Sequence, residues 1–223
     1  MGAGNFRSCC KGEEALKYSS VGGKRTGGLR QSQLNVIAGV ARGIKLLMPP
    51  DDGVRPTIGR AREAVFASSG DISGLTFWDL FAGSGANGCE AASRGASAVV
   101  FVEMDKRHCL CIEENIRRIT DAGVRSDITL CRENAEVFSG SGLPEPDIIF
   151  ADPPYSESGL WFRKLVPAFV EKFPQCNIIW EVPSLPGAPG EFIEAGALEY
   201  GFQLKIFGGT RFFVKNRTEG QYL

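Results

Sequence analysis

Two short stretches of the chain hold residue types and spacings that could do chemistry. In the first, Asp152-Pro153-Pro154-Tyr155 closes the apolar run 148–151. Consecutive prolines fix φ and donate no amide hydrogen, so the carbonyls around them are held in place and open to donors. A carboxylate beside such a carbonyl can accept both hydrogens of an exocyclic amine on a base, and Tyr155 offers a flat face on which that base stacks. The plainer reading of the same residues is a tight turn.

The second stretch is Trp78-Asp79-Leu80-Phe81-Ala82-Gly83-Ser84-Gly85-Ala86-Asn87-Gly88. An apolar run at 74–78 reads as a buried strand, residues 89–94 have helical composition, and Gly95 suits a helix end. A strand, a glycine turn and a helix open a parallel α/β sheet and form its nucleotide-binding crevice. Gly83, Gly85 and Gly88 satisfy G-x-G-x-x-G, and Glu103 follows twenty residues after Gly83. An acid there can accept both hydroxyls of an adenosine ribose. NAD and S-adenosylmethionine both carry that ribose. Asp79 separates them, because its carboxylate would repel a pyrophosphate and suits the ammonium of a methionine tail. Asp-Pro-Pro-Tyr, a grip for an amine, decides for S-adenosylmethionine.

The elements that must position these residues alternate in type. Strands are expected at 34–39, 43–48, 97–103, 128–131, 177–182, 204–207 and 211–215, in addition to the runs ending at Trp78 and Ala151. Helices are expected at 58–69, with Thr57 as its cap, at 106–119 and at 158–172. On the first, Ala61, Val65 and Phe66 face inward. Residues 183–197 read as loop with a helical turn near Phe192, and Gly208-Gly209-Thr210 as a hairpin turn.

Arg55-Pro56-Thr57, Arg60, Arg62-Glu63, Phe66, Asp-Leu-Phe-Ala-Gly-Ser-Gly-Ala, Glu103-Met104-Asp105 and Asp-Pro-Pro-Tyr occur in one order at tight spacing. In this the chain resembles the RsmD-type family, bacterial enzymes that methylate the exocyclic N2 of a guanine in small-subunit ribosomal RNA. The resemblance covers roughly residues 34–217. It implies a Rossmann-like, doubly wound, seven-stranded sheet with one antiparallel strand, the class I methyltransferase fold, with a small N-terminal β-hairpin arm. It also implies that Asp79, Phe81, Gly83, Gly85, Glu103, Met104, Asn134 and Ala135 hold S-adenosylmethionine. Asp152, Pro153, Pro154 and Tyr155 would hold the base, and Arg42, Lys45, Arg55, Thr57, Arg60 and Arg62 would meet RNA. Asn134 could equally cap a helix.

Charge distribution agrees with a nucleic-acid partner. The whole chain carries −1, but residues 1–62 carry +7 and the remainder −8. A basic start on an acidic body suits RNA phosphates. Residues 1–33 are expected to form a flexible basic extension, 34–70 the hairpin arm and helix, and 71–223 the methyltransferase domain. Seven cysteines with no C-x-x-C pair read as reduced cytosolic thiols. His108, Cys109 and Cys111 are neighbours on one helix and point apart, so no metal is expected. No apolar run approaches the roughly 18 residues of a membrane span, and no signal-peptide pattern occurs. The expectation is a cytoplasmic monomer acting on ribosomal RNA within a small subunit or its assembly intermediate, with no membrane. Three other readings compete: an NAD-dependent oxidoreductase, which has no use for Asp-Pro-Pro-Tyr, a DNA amino-methyltransferase, and an RNA-binding assembly protein without catalysis.

Overall fold

Continuous apolar runs over the central strands and amphipathic spacing over the helices require a sheet covered on both faces, and the computed structural model has that form. It describes residues 6–9, 30–49, 57–182 and 197–217. Arg55, the other residues of 1–33 and the expected turn near Phe192 lie outside them. In chain order the elements begin with β1 (Phe6–Cys9), β2 (Arg30–Asn35), β3 (Lys45–Met48), α1 (Thr57–Ser68), β4 (Thr76–Leu80), α2 (Ala86–Ser93) and β5 (Ala98–Val102). They continue with α3 (Lys106–Asp121), β6 (Asp127–Cys131), β7 (Ile148–Ala151), α4 (Ser158–Lys172), β8 (Asn177–Val182), β9 (Gln203–Phe207) and β10 (Thr210–Lys215).

The main sheet runs β1-β6-β5-β4-β7-β8-β10-β9, and β10 alone runs against its neighbours. Seven of these strands reproduce the expected doubly wound order, with the switch point between β4 and β7, whose crossovers leave in opposite directions. The eighth is a correction. Residues 1–33 were expected to be flexible, yet Phe6–Cys9 pairs in parallel with β6, Phe6 opposite Ile128 and Cys9 opposite Cys131. A four-residue edge strand whose definition comes from main-chain bonds carries little side-chain pattern, so the sequence hides it.

The hairpin arm is also shifted. Its strands pair Arg30 with Met48 and Asn35 with Lys45, so the first strand is Arg30–Asn35 rather than 34–39. Residues 36–43 form the connection, closed by Val36 N–H to the Ile44 carbonyl at 3.0 Å and Gly43 N–H to the Val36 carbonyl at 2.8 Å. Gly39 is the contact residue of that connection. At φ 81°, it lies so close to α2 that an added Cβ would come within 1.8 Å of the Ser93 carbonyl oxygen.

Alternation along each central strand sends side chains to two cores. One face packs Phe77, Phe101, Phe150 and Phe212 under α1, α2, α3 and the arm. The other packs Trp78, Val100, Ile149, Trp180 and Phe213 against α4. The arm joins the first face through buried polar contacts as well as apolar ones. Glu90 on α2 accepts from Ile37 N–H at 2.7 Å, Ala38 N–H at 3.0 Å and Arg94 Nε at 2.7 Å. Arg62 of α1 lies 3.9 Å from the same carboxylate and donates to the Asn35 carbonyl at 2.6 Å. Asn115 of α3 bonds both the amide and the carbonyl of Leu47. Both expected RNA contacts flanking this joint, Arg42 and Lys45, are exposed.

Removing one partner from a buried ionic network leaves the other charges uncompensated, at a cost of about 3–5 kcal/mol. Glu90→Ala should therefore lower unfolding free energy by about that amount in urea titration. A loss below about 1 kcal/mol would show that the joint is not stabilised by this carboxylate.

Candidate active site at the carboxyl edge of the sheet

The turn after β4 is built around main-chain donors. Gly83 and Gly85 both take positive φ, 55° and 75°, and Gly85 caps α2. Gly88 is required by contact: a Cβ there would meet the Phe101 ring at 2.2 Å. Phe81 is the one non-glycine at positive φ among the described residues, 59°. A bulky residue there is strained and persists only where its surroundings over-determine it. Its ring lies 5.5 Å from Trp161 and 6.3 Å from Trp180, centroid to centroid.

Two carboxylates brace this turn. Asp79 Oδ2 accepts from Gly88 N–H at 2.8 Å, and Glu103 Oε2 accepts from Gly83 N–H at 2.8 Å. Asp79 is only 1% exposed, which corrects its expected role. It supports the loop from beneath, through the bond it accepts from Gly88 N–H. Burial, with Glu103 nearby adding to it, pushes its pKa up to about 8 against the bond from Gly88. Glu103 differs. Burial works against its charge, yet His108 and the amides of Asp105 and Gly83 hold it below the usual carboxylate range. His108 Nδ1 stands 3.6 Å from Oε2, and Asp105 N–H donates to Oε1 at 2.8 Å. A carboxylate has about four lone-pair sites, so two amides leave capacity for vicinal hydroxyls.

The remaining expected cofactor residues divide. Met104 is exposed beside Glu103, whereas Ala135 is buried in the α4-side core and presents no surface to a ligand. Asn134, expected to hold the cofactor or to cap a helix, uses Oδ1 to accept Glu136 N–H at 2.9 Å and braces a turn. Gly83 faces open space, since an added Cβ would approach only the Phe81 carbonyl oxygen, at 4.0 Å. An ionised acceptor pair, an open glycine and a buried carboxyl below fit an adenosyl group carrying a cationic tail. Cys109 and Cys111 send their thiols to different carbonyls, of Glu103 and Leu47, so they do not converge with His108.

One strand away, Asp152 and Pro154 are exposed, Pro153 is buried and Tyr155 half-buried. The turn is fixed by Glu157 N–H to the Pro154 carbonyl at 2.9 Å. Tyr155 donates its hydroxyl to Glu181 Oε1 at 2.9 Å. Glu181 was not singled out from sequence, and His108 was weighed there only as a metal ligand. A lone acid near the end of the apolar run 177–182 was the available signal for Glu181, the same placement Asp152 has after β7.

Of the expected RNA residues, Arg60 is exposed on α1. Arg62 is a correction: at 4% exposure it is a buried structural link, its Nε and Nη1 donate no hydrogen bond, and burial lowers its pKa against the pull of Glu90. Helical spacing carried the signal, since position 62 falls one turn before Val65 and Phe66 on the buried stripe of α1, but a charged side chain there reads as surface. Thr57 opens α1 rather than preceding it. A cleft of about 370 Å³ between arm and helix is lined by Asn35, Ile37, Arg42, Gly43, Arg60 and Arg62, among others.

A family model described as Conserved hypothetical protein 95 matches residues 34–174. Ribosomal RNA small subunit methyltransferase D of Escherichia coli K12 is 35% identical over 124 residues, 55% of this chain and 61% of its own length. The match thus spans less than two thirds of that relative. The solved structure of yhhF from Escherichia coli superposes with a TM-score of 0.63 at 26% identity, covering 85% of this chain and all of the other. SMU.776, a methyltransferase solved with SAH, shares the fold at a TM-score of 0.58 and 18% identity, over 77% and 53% of the two chains.

An acid whose folded-state pKa lies above its unfolded value favours folding while protonated. For Asp79 that contribution is full below about pH 3.8 and declines as pH rises to about 8. Asp79→Asn keeps an acceptor for Gly88 and removes the titration. Its melting temperature should fall less between these limits than the parent's, by about 2–4 °C per kcal/mol of lost slope. Parallel curves for the two proteins in pH-dependent thermal melts would contradict the assignment.

Proposed function

The chain belongs to the RsmD family, Conserved hypothetical protein 95, and from that premise we infer that it is an S-adenosylmethionine-dependent methyltransferase of ribosomal RNA. The finer reading is that it methylates the exocyclic N2 of a guanine in small-subunit RNA. One observation carries it. The β4–β7 ladder ends with Leu80 opposite Ala151, so the glycine turn and Asp-Pro-Pro-Tyr leave adjacent strands side by side.

S-adenosylmethionine supplies an electrophilic methyl on a sulfonium. Glu103 accepts from the ribose hydroxyls, and the main chain at Gly83 and Gly85 lines the path of the methionine part. Asp79, beneath, holds the turn in shape through Gly88. The guanine N2 lone pair is delocalised into the ring, so catalysis comes chiefly from orientation. Asp152 and the Pro153 carbonyl accept the two N–H groups and aim the lone pair at the methyl. Asp152 then takes the proton that the alkylated nitrogen must lose. Tyr155, held by Glu181, gives the base a face to stack on. Arg42 and Arg60 line the cleft beside the arm and supply charge for RNA phosphates.

Two experiments test this reading. Asp152→Ala removes a positioned charged acceptor, so single-turnover methylation of small-subunit RNA should slow roughly 30- to 1,000-fold, with S-adenosylhomocysteine affinity unchanged. Asp152→Asn, which keeps one acceptor oxygen, should retain more activity. Parental turnover by a stable Asp152→Ala protein would move the catalytic centre elsewhere. For the RNA surface, the pair Arg42→Ala and Arg60→Ala should flatten the log–log salt dependence of RNA binding by roughly two units, one for each lost contact. An unaltered slope would remove the cleft from the RNA path.

A further inference from the structure

Glu181 has no part in the family resemblance, yet the sheet delivers it to the base. The parallel β7–β8 ladder pairs Phe150 with Ile179 and Ala151 with Trp180. Asp152 follows the last paired residue of β7, and continuing the register by one step sets it beside Glu181 at the usual lateral strand spacing of about 4.8 Å. Alternation places the two on one face. Phe150 and Ile179, two residues before each, both belong to the core under α1, α2 and α3, while Ala151 and Trp180 belong to the opposite one. The strand ends therefore present two carboxylates in a row on the side that carries Asp79 and Glu103. Glu181 is half-buried, and the Tyr155 hydroxyl at 2.9 Å fixes it to the residue proposed to stack on the base. Its main chain is fixed too, since Ser158 Oγ donates to the Glu181 carbonyl at 3.2 Å and receives Trp180 Nε1 at 3.2 Å.

Two adjacent carboxylates suit one kind of base edge. Guanine presents the N2 amine and, next to it, the N1–H, an unbroken row of donors. Adenine and cytosine place a bare acceptor nitrogen beside their amine, which would face a carboxylate's lone pairs. We propose that Glu181 is a specificity-determining residue that accepts the N1–H of the target guanine while Asp152 and the Pro153 carbonyl hold its N2 amine. A carboxylate oxygen pair offers about four acceptor sites, so the Tyr155 bond and the N1–H bond are compatible. A polar group that must pair on binding discriminates strongly against an analogue that cannot satisfy it.

The proposal rests on the guanine-N2 reading, and the test separates the two. The methylated nucleotide is first mapped in small-subunit RNA treated with the protein. A fragment spanning it is then synthesised with either guanine or 2-aminopurine at that position; the analogue keeps the 2-amino group but has a bare N1. The parent protein should methylate the guanine fragment with a kcat/KM at least roughly 10- to 100-fold higher. Glu181→Gln should shrink that ratio, chiefly by losing activity on guanine, because its amide keeps only one acceptor oxygen for the N1–H and adds a donor that tolerates a bare N1. Tyr155→Phe loses the hydroxyl but keeps the carboxylate, and should slow both fragments while preserving the ratio. Equal parental rates on the two fragments would overturn the inference without touching the functional reading, and that comparison needs no variant to fold. A Glu181→Gln protein that slows both fragments alike would reduce Glu181 to a support for Tyr155 and overturn it too. Failure of the parent to methylate any guanine N2 would overturn the functional reading itself, and this inference with it.

Discussion

The arm holds its place through one buried carboxylate. Glu90 is fully enclosed and takes two amides from the 36–43 connection, a guanidinium from its own helix and the field of Arg62 from α1. An ion in a protein interior is costly unless paired and hydrogen-bonded, and hydrogen bonds demand particular partners at particular distances. An apolar patch would let the hairpin slide. This carboxylate does not, because a shift of one residue would strand both amides and the acid. Gly39 completes the constraint, since only a residue without a side chain lets the connection approach Ser93 closely enough for those amides to arrive.

With the arm and α1 fixed over one face, that face acquires a sequence of acids. Glu103 follows β5, Asp79 lies in β4, Asp152 follows β7 and Glu181 lies in β8, four strands adjacent in the sheet. Because side chains alternate, all four belong to the same side, together with Phe77, Phe101, Phe150 and Ile179. Neighbouring strands lie about 4.8 Å apart, so the row covers roughly 14 Å. The environments are graded along it: Glu103 is kept ionised by donors, while Asp79 is driven toward neutrality by burial. One periodicity, that of the pleat, sets out the whole site.

Much of this was legible in the residues. Apolar runs located β4, β5, β7, β8 and β10, since strands buried on both faces leave an unmistakable composition. The glycines and Asp-Pro-Pro-Tyr marked the crevice because few other residues can make those turns. What escaped was whatever depends on a partner distant in sequence. Phe6–Cys9 is a strand only because β6 lies beside it. Arg62 looked like a surface cation until the arm and α2 closed over it. Asp79 looked like a ligand contact, although the turn it supports covers it. Ala135 lies in a core built largely by α4, which follows it in the chain. Glu181 needed the β7–β8 register before it could be set beside Asp152.

The hairpin joining β9 and β10 turns at Gly208 against the main chain of Arg60 and Ala61, close enough that a Cβ would come within 2.8 Å of the Ala61 nitrogen. The helix that flanks the basic cleft is thereby wedged between the arm and the last two strands. Synthesis runs from the N-terminus, and folding on the ribosome follows emergence. The cationic arm and α1 thus leave the exit tunnel long before the strands that seat them. An unfinished chain carries the charges but not the surface that arranges them, and the last hairpin to emerge turns a basic segment into a shaped cleft.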